Sequence, residues 1–545
     1  MSGEAAGMRC AGVRRILAAL TFLLARRQPM IELQARCGPI LGESQDGVTC
    51  FRAIPYAQAA RWTPPASVRN WTVPHDGRSP GPACPQPRRR TGSLYEDPDA
   101  SESEDCLHLN IWTPDDAQDA PVMVWIHGGS MIWGSNGQSL YDGAALARQG
   151  VVVVSINYRL GVLGYLAHPE LSARSQQGVS GNYGLLDQIA ALKWVREFIR
   201  DFGGDPAQVT LAGESAGALS VLYLMVSPLA RGLFHRAIAQ SPYMPTHPRL
   251  REAEQGVDSA EAVGLALQRA LGAPDLDHLL ALPAADLVQA AQDQGYLPWG
   301  AIDGLILTGQ LAELFETGQQ ARVPLLTGFN EGELRSLPFL LPQKPASASQ
   351  YRQAIKASHG RFAPDMLSHY PDTDLEESRL ALLRDAFYGW SAAKIAQCQS
   401  AAGLEAYLYY FDHGYEPARS QGLHAFHGSE LPYVFNTLQY TASAWPSPPL
   451  DEREQGLADL MCGYWSAFVQ GRVLDDAGPV SWPRHGRDRA IMHFTEASAT
   501  SMSLDVDVFE LHDAVYRARL ARGLGWSWNV GTASPVISAR EAGRD

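Results

Sequence analysis

Short apolar runs alternate with helix-like segments along most of the chain. The runs are rich in Val, Ile, Leu and Ala, and Gly or Pro residues bound them. Strands that are buried on both faces of a parallel sheet have this continuous apolar character, whereas half-exposed strands alternate apolar and polar residues. The pattern therefore predicts buried parallel strands at residues 122–126, 151–157, 209–212, 237–240, 324–327, 406–411 and 490–494.

Helix patterns lie between these runs. One helix has apolar residues spaced by three or four positions, namely Leu185, Ile189, Leu192, Val195 and Ile199. Asn182 precedes it as a candidate N-cap, and we expect Asp187 and Lys193 to point away from its apolar face. Residues 252–292 and 380–399 predict further helices. The sequence thus indicates an α/β fold with a large, mostly parallel central sheet, helices on both faces and a helix-rich second half.

The composition is that of a globular protein. Hydrophobic residues make up 46% of the 545 positions and charged residues 19%, which suits a buried core and argues against charge-driven disorder. The 58 acidic residues outnumber the 44 basic ones and give a net charge of −14, which argues against nonspecific nucleic-acid binding. We expect no membrane span, because no run beyond the N-terminus approaches about 18 apolar residues.

The N-terminus leaves three interpretations open. Residues 16–25 form an apolar run preceded by two arginines, as in the core of a signal peptide, but Arg26 stands where a cleavage site needs small residues. A second start is available at Met30. Residues 1–30 are therefore a leader or an incorrectly assigned start, an export signal, or an amphipathic anchor, and we expect them to be poorly ordered. The interpretation favours a cytoplasmic protein, with export as the alternative.

A candidate nucleophile lies between a strand and a helix. The sequence Gly-Glu-Ser-Ala-Gly at 213–217 directly follows the apolar run 209–212 and precedes a helix-like segment. A serine on a sharp strand-to-helix turn needs small residues two positions before and after it, and this context is that of a nucleophile elbow. The N-terminus of the following helix favours developing negative charge. Ser215 is therefore the candidate nucleophile of a serine hydrolase.

A second glycine-rich turn, His127-Gly128-Gly129-Ser130, follows the run 122–126. The backbone N–H groups of Gly129 and Ser130, together with that of Ala216, are candidate donors to a substrate oxyanion. The alternative is a tight turn that contains glycines for steric reasons only. Neither glycine-rich turn has the pattern of a phosphate-binding loop.

These motifs resemble those of type-B carboxylesterases, in particular members of the bacterial para-nitrobenzyl-esterase type. The segments that carry the resemblance are EDCLHLNI at 104–111, NYRLG at 157–161, NYGLLDQ at 182–188, and FGGDP and VTLAGESAG between 202 and 217. His108 departs from the family pattern, since an aromatic residue is usual there. The resemblance extends from about Gly38 to Phe494. It implies the α/β-hydrolase fold with a helix-rich gorge wall, carboxylic ester hydrolysis, and neither a metal nor an organic cofactor.

The resemblance also implies a catalytic triad in the order serine, acid, histidine. The segment TGFNEGE at 327–333 is similar to the one in which the acid lies five residues after the glycine. That register selects Glu333, with Glu331 as the runner-up. His427 is followed by Gly-Ser-Glu, as in the family's histidine loop, and is the candidate base, whereas His424 is a bystander. His427 would take the proton of Ser215 as the serine oxygen attacks the ester carbonyl, and Ser215 would carry the acyl group of the acyl-enzyme intermediate.

The seven cysteines have no paired CxxC spacing, so they predict neither a zinc site nor an iron–sulfur cluster. Cys84 and Cys106 bracket a polar loop and match the family's first disulfide loop. The resemblance implies a bridge between them in exported relatives, and proximity of the two thiols in a reducing cytosol.

Motifs spread from Gly128 to His427 change the domain estimate. Length alone suggests three or four domains of about 150 residues, but a triad assembled from distant loops favours one α/β-hydrolase domain over 31–520. We expect residues 521–545 to form a loosely ordered tail. The oligomeric state is not readable from the sequence.

Several departures bear on specificity. Cholinesterases have a choline-binding tryptophan where this chain has Glu96, so the cation–π platform is missing and cholinesterase activity is not expected. Ala53 and Pro242 replace usual glycines; the first affects local packing, and the second reshapes the acyl-side wall. We expect hydrolysis of small to medium soluble carboxylic esters. Which acyl and alcohol groups are accepted, and whether carbamates, thioesters or amides are cleaved, is not predicted.

Two alternatives remain. A lipase that acts on long-chain esters would need an apolar lid, and the loop at 86–105 is strongly polar. A catalytically silent adhesion or binding protein of this fold usually lacks the nucleophile or the histidine, whereas both are present here. The expected partner is a small ester molecule.

Overall fold

A computed structural model describes residues 30–89, 93–95, 101–495, 498–503 and 507–527. The predicted leader therefore lies outside the described residues except for Met30. The same is true of Glu96 and of the predicted tail beyond residue 527. The division into a leader, one domain over 31–520 and a tail stays a prediction.

The described strands form one large sheet and a small hairpin. Their bounds are β1 (Met30–Ala35), β2 (Gly38–Gln45), β3 (Val48–Pro55), β4 (Ala57–Gln58), β5 (Ala66–Ser67), β6 (His75–Asp76), β7 (His108–Pro114), β8 (Ala120–Ile126), β9 (Val152–Ile156), β10 (Gly204–Glu214), β11 (Arg236–Gln240), β12 (Leu325–Asn330), β13 (Ala406–Phe411), β14 (Ala490–Thr495) and β15 (Ser498–Ser503).

The large sheet has the order β1-β2-β3-β7-β9-β8-β10-β11-β12-β13-β14-β15, with β6 beside β2. Seven neighbouring strands of this order, β9-β8-β10-β11-β12-β13-β14, are parallel to one another. They correspond to the seven apolar runs of the sequence, so the predicted parallel sheet is confirmed. Antiparallel strands flank it at both edges. The sequence pattern did not predict these, because they alternate polar and apolar residues or contain glycine.

The two faces of the sheet are buried under separate layers. Along β8, Val122 and Val124 belong to one hydrophobic core and Met123 and Trp125 to the other. This alternation is the two-residue period of a strand. The α-helices that form the layers are Ala144–Arg148, Gly161–Tyr165, Pro169–Arg174, Tyr183–Phe198, Ala216–Val226, Ala260–Ala270, Leu276–Ala281, Ala284–Asp293, Leu311–Glu316, Ala348–His359, Ala363–His369, Leu375–Arg384, Trp390–Ala401, Glu416–Ser420, Leu431–Val434, Glu452–Val469 and Asp507–Leu520.

The helix predicted from the apolar spacing runs from Tyr183 to Phe198. Asn182 occupies its N-cap position but makes no side-chain cap; its amide bonds the carbonyl of Ala301 instead. Asp187, which we expected to point away from the apolar face of this helix, is fully buried and paired with Arg159. Among the described helices, none combines the length and the apolar character needed to cross a membrane.

Candidate active site

Ser215 stands at the turn between β10 and the helix that begins at Ala216. Its backbone has φ 56° and ψ −122°, a conformation that costs a non-glycine residue free energy. The N–H of Ser215 donates to the carbonyl of Gln240 at 3.0 Å, which helps to hold the turn. The side chain is therefore raised above the carboxyl end of the sheet, as the sequence motif predicts.

The two glycines of the motif are required by close packing. A Cβ atom at Gly213 would lie 2.6 Å from the carbonyl of Gly217, and one at Gly217 would lie 2.1 Å from the carbonyl oxygen of Ile126. Both distances are too short for a side chain. The G-x-S-x-G spacing thus allows β8, β10 and the following helix to approach one another at Ser215.

The glycine-rich turn after β8 packs against the serine. A Cβ atom at Gly128 would lie 3.2 Å from Cβ of Ser215. Gly129 and Ser130 both have positive φ, of 102° and 58°. In the part of the chain that the structure describes, the backbone N–H groups of Gly129, Ser130 and Ala216 donate no hydrogen bond. Three unpaired donors beside a serine are suited to a developing oxyanion.

The structure brings Glu333 to His427. The Nδ1–H of His427 donates a short hydrogen bond to Oε2 of Glu333. Glu333 is fully buried, and its other oxygen accepts from the backbone N–H of Asn330 at 2.9 Å and the hydroxyl of Ser241 at 2.6 Å. Both carboxylate oxygens are therefore held, which fixes the orientation of the imidazole.

Neither Glu331, the runner-up for the acid, nor the bystander His424 forms a hydrogen bond with His427 among the described residues. Glu331 is 3.5 Å from the guanidinium of Arg335 and 3.9 Å from that of Arg384. His424 is half-buried and has a left-handed backbone with φ 52°.

A second carboxylate, which the sequence analysis missed, faces the opposite nitrogen of His427. Oε1 of Glu214 lies 3.2 Å from Nε2, and Glu214 is buried. No hydrogen bond joins Nε2 to the hydroxyl of Ser215 among the described residues. Catalytic hydrogen bonds are often long in the free enzyme and tighten when substrate binds. Glu214 could have been identified from its place between Gly213 and Ser215 in the motif.

These charges set the protonation of the site. Burial alone would lower the pKa of His427, but the negative charges of Glu214 and Glu333 outweigh it and raise that pKa to about 9. Burial raises the pKa of Glu214 to about 8, although the nearby imidazolium opposes the shift. The two groups interact and titrate as a pair, and the pKa values of both are raised above neutral pH.

A third buried carboxylate supports the histidine loop. Glu430 accepts from the amide of Gln240 at 2.9 Å and from that of Asn330 at 2.6 Å. The indole N–H of Trp465 donates to the amide oxygen of Gln240 at 3.0 Å, which orients that amide. Burial raises the pKa of Glu430 to about 6. This network connects the end of β11 with the loops of the acid and the histidine.

Aromatic side chains border the imidazole. The ring of Tyr388 lies 5.2 Å from that of His427, and the ring of Tyr243 lies 5.9 Å from Tyr388. Tyr388 belongs to a π-helical turn, Asp385–Gly389, and such turns are frequent at functional sites. Pro242, a departure from the family pattern, is buried directly before Tyr243.

The two cysteines of the predicted loop lie side by side. Cys84 and Cys106 are free thiols, buried and hydrogen-bonded to each other. The backbone N–H of Leu160 donates to the sulfur of Cys84 at 3.3 Å. Within the described ranges, no three His, Cys, Asp or Glu side chains are grouped as ligands for a metal ion.

Comparisons with known proteins identify the family of the chain. The carboxylesterase family model matches residues 28–508. The chain is 36% identical to the fumonisin B1 esterase of Sphingopyxis macrogoltabida over 88% of this chain and 89% of that protein. It is 33% identical to the para-nitrobenzyl esterase of Bacillus subtilis (strain 168), over 82% and 91% of the two chains.

Solved structures give the same result. A thermophilic PNB esterase matches with a TM-score of 0.74 and 30% identity, covering 88% of this chain and 99% of its own. A carboxylesterase of Geobacillus stearothermophilus matches with the same TM-score, identity and coverage. The chain therefore belongs to the carboxylesterase family, and it is a serine hydrolase of carboxylic esters with the α/β-hydrolase fold.

Proposed function

We propose that Ser215, His427 and Glu333 form the catalytic triad and that Gly129, Ser130 and Ala216 bind the oxyanion. The observation that carries this proposal is the hydrogen bond between His427 and the buried carboxylate of Glu333. The strained turn at Ser215 and the unpaired N–H groups beside it support the same assignment.

The reaction proceeds in two halves. His427 accepts the proton of Ser215 at Nε2 as Oγ attacks the ester carbonyl, and Glu333 stabilises the imidazolium. The carbonyl electrons move onto oxygen, where each backbone donor contributes roughly 3 kcal/mol of transition-state stabilisation. When the intermediate collapses, the alcohol leaves with the proton from His427. Water then attacks the acyl-serine by the same path and releases the carboxylic acid.

The proposed substrates are small to medium soluble esters with no negative charge next to the reacting carbonyl. Three buried carboxylates, those of Glu214, Glu333 and Glu430, lie around His427 and would repel an anionic group there. The polar loop at 86–105 does not favour emulsified long-chain esters. The relatives are named for different esters, fumonisin B1 and para-nitrobenzyl, so they support ester hydrolysis without selecting one substrate.

A nitrophenyl-ester series of increasing acyl length tests the proposal. Ser215→Ala and His427→Asn are expected to lower kcat by about 10⁴-fold or more, because triad members act as a unit. His424→Asn is the matched control, and it should keep activity within about threefold of the wild type. Asparagine tolerates the left-handed backbone at this position.

The proposal fails if Ser215→Ala keeps its turnover, or if His424→Asn loses as much activity as His427→Asn. A parallel assay with emulsified long-chain triglyceride distinguishes the lipase alternative. A rate on triglyceride above that on dissolved short esters would contradict the proposed substrate class.

A further inference from the structure

One tyrosine hydroxyl connects the loops that carry the acid and the histidine. The hydroxyl of Tyr95 donates to the backbone carbonyl of His427 at 2.8 Å and lies 2.8 Å from the hydroxyl of Ser336. Because a tyrosine hydroxyl has one proton, Ser336 is the donor in the second bond. Ser336 lies three residues after Glu333 in the chain. The Tyr95 hydroxyl therefore contacts both the loop of Glu333 and the loop of His427, the two residues that are hydrogen-bonded through Nδ1 of the imidazole.

The ring of Tyr95 is fixed by aromatic packing. It meets the indole of Trp445 edge to face at 6.4 Å, and Trp445 packs in turn on Phe426 at 4.9 Å. Phe426 directly precedes His427 in the chain. Burial raises the pKa of Tyr95 well above its ordinary value, so the hydroxyl keeps its proton and remains a donor at alkaline pH. The aromatic packing of the Tyr95 ring and the hydrogen bonds of its hydroxyl therefore both fix the position of this side chain beside the histidine loop.

The carbonyl of His427 depends on this bond. His427 is buried, and within the described part of the chain no other donor reaches its carbonyl oxygen. A buried carbonyl without a donor is unfavourable, so the loop would move if the hydroxyl were removed. A small displacement of a catalytic group lowers the rate of reaction substantially.

We propose that Tyr95 is a positioning residue for the esterase reaction, whose hydroxyl keeps the histidine loop and the acid loop in register. This inference rests on the proposed roles of His427 and Glu333. Tyr95 lies between Cys84 and Cys106, in the polar loop at 86–105. Through Tyr95 this loop contributes to the alignment of the triad.

The proposal has a signature in the pH profile. Three carboxyl groups face His427, those of Glu333, Glu214 and Glu430; the ring of Tyr388 packs beside the imidazole, and the neutral hydroxyl of Tyr95 bonds the backbone carbonyl. Displacing the histidine loop weakens the contact with Glu333 and leaves the other charges in place. The imidazolium is then less stabilised, so the acid limb of kcat/KM moves to lower pH.

Tyr95→Phe is the direct test, since it keeps the ring and removes the hydroxyl. We expect kcat on a short nitrophenyl ester to fall by about tenfold, with KM within about twofold of the wild type, and the acid limb to move to lower pH. Ser336→Ala should show a smaller effect in the same direction. Because both variants act on one bonded chain, their effects should not add in the double variant.

Tyr440→Phe is the matched control. Tyr440 is 49% exposed, and its hydroxyl makes no hydrogen bond with the described residues. The inference is overturned if Tyr95→Phe and Ser336→Ala both keep the kcat and the pH profile of the wild type. This holds even if their melting temperatures fall, because a loss of stability alone indicates a purely structural role. If Tyr95→Phe does not fold, Ser336→Ala carries the test. An active His427→Asn would instead refute the proposed triad.

Discussion

Nε2 of His427 lies 3.2 Å from Oε1 of Glu214, on the side of the ring opposite the hydrogen bond to Glu333. The imidazole therefore stands between two buried carboxylates. The pKa of His427 is raised to about 9 and that of Glu214 to about 8. A general base works only when it is unprotonated. The carboxylate of Glu214 near Nε2 therefore lowers the population of the neutral imidazole in the free enzyme, and it stabilises the imidazolium that forms in the transition state.

Glu214→Gln should move the acid limb of kcat/KM to lower pH by about one unit. The substitution removes a negative charge close to the imidazole, so the pKa of His427 falls and the base form is populated at lower pH. The wild-type rate should rise with pH through the neutral and mildly alkaline range. A pH series with a neutral nitrophenyl ester measures both effects.

Salt provides the control for this prediction, because buried charges are screened much less than exposed ones. The shift between the wild type and Glu214→Gln should therefore persist at high ionic strength. An acid limb that coincides in the two proteins would show that Glu214 does not set the protonation of His427.

Substitution by glutamine should lower activity strongly at Glu333 and only slightly at Glu331. Glu333→Gln is expected to lower kcat by about 10³- to 10⁴-fold, because it disrupts the orientation and charge stabilisation of the imidazole. Glu331→Gln should stay within about threefold of the wild type, since Glu331 pairs with arginines instead. A larger loss at Glu331 would transfer the role of the acid to that residue.

The parallel sheet was predictable because burial on both faces imposes a nearly continuous apolar run, and four of the five residues of β9 are Val or Ile. The candidate nucleophile was predictable for a similar local reason. Only glycine fits at positions 213 and 217, so the two glycines indicate the turn in the sequence. Both signals lie within a few residues of the feature that they predict.

The contacts around His427 were not predictable in this way. Tyr95 and Glu214 are both far from His427 in the chain; the motif marks Glu214 as a neighbour of Ser215, but no local pattern encodes the distance of either residue to His427. Asp187 shows the same limit. Its position in an amphipathic helix indicates exposure, but the partner that makes its burial favourable, Arg159, lies in another segment.

Ala53→Gly should stabilise the protein slightly. Ala53 has φ 54° at a bulge where β3 pairs with β7, and its N–H donates to the side chain of Asn110 at 2.9 Å. Glycine relieves the left-handed strain of about 1–2 kcal/mol but raises the entropy of the unfolded chain. We expect the free energy of unfolding to rise by up to about 1 kcal/mol.

Thermal melting at a fixed scan rate measures the effect of Ala53→Gly. Ala66→Gly is the matched control, because Ala66 lies in an exposed strand without positive φ. It should lower stability by about 0.5–1 kcal/mol. Equal losses in the two variants would mean that the backbone of Ala53 is not strained.

The buried ion pair between Arg159 and Asp187 links two of the sequence motifs. Nη2 of Arg159 lies 2.7 Å from Oδ1 of Asp187, and its Nε donates to Oδ2 at 2.8 Å. Arg159 also donates to the carbonyl of Thr63 at 2.8 Å. The pair therefore fastens the segment after β9 to the helix Tyr183–Phe198 and to the loop before β5.

Asp187→Ala should destabilise the protein by about 3–5 kcal/mol, because it leaves the guanidinium buried without its counter-charge. Replacing both residues, as in Arg159→Met with Asp187→Leu, should recover much of that loss, since no unpaired charge remains. Denaturant unfolding of the three proteins measures the difference, and kcat of the folded fraction should change little because neither residue reaches Ser215. A double variant as unstable as Asp187→Ala would show that the loss comes from packing and the broken hydrogen bonds rather than from the unpaired charge.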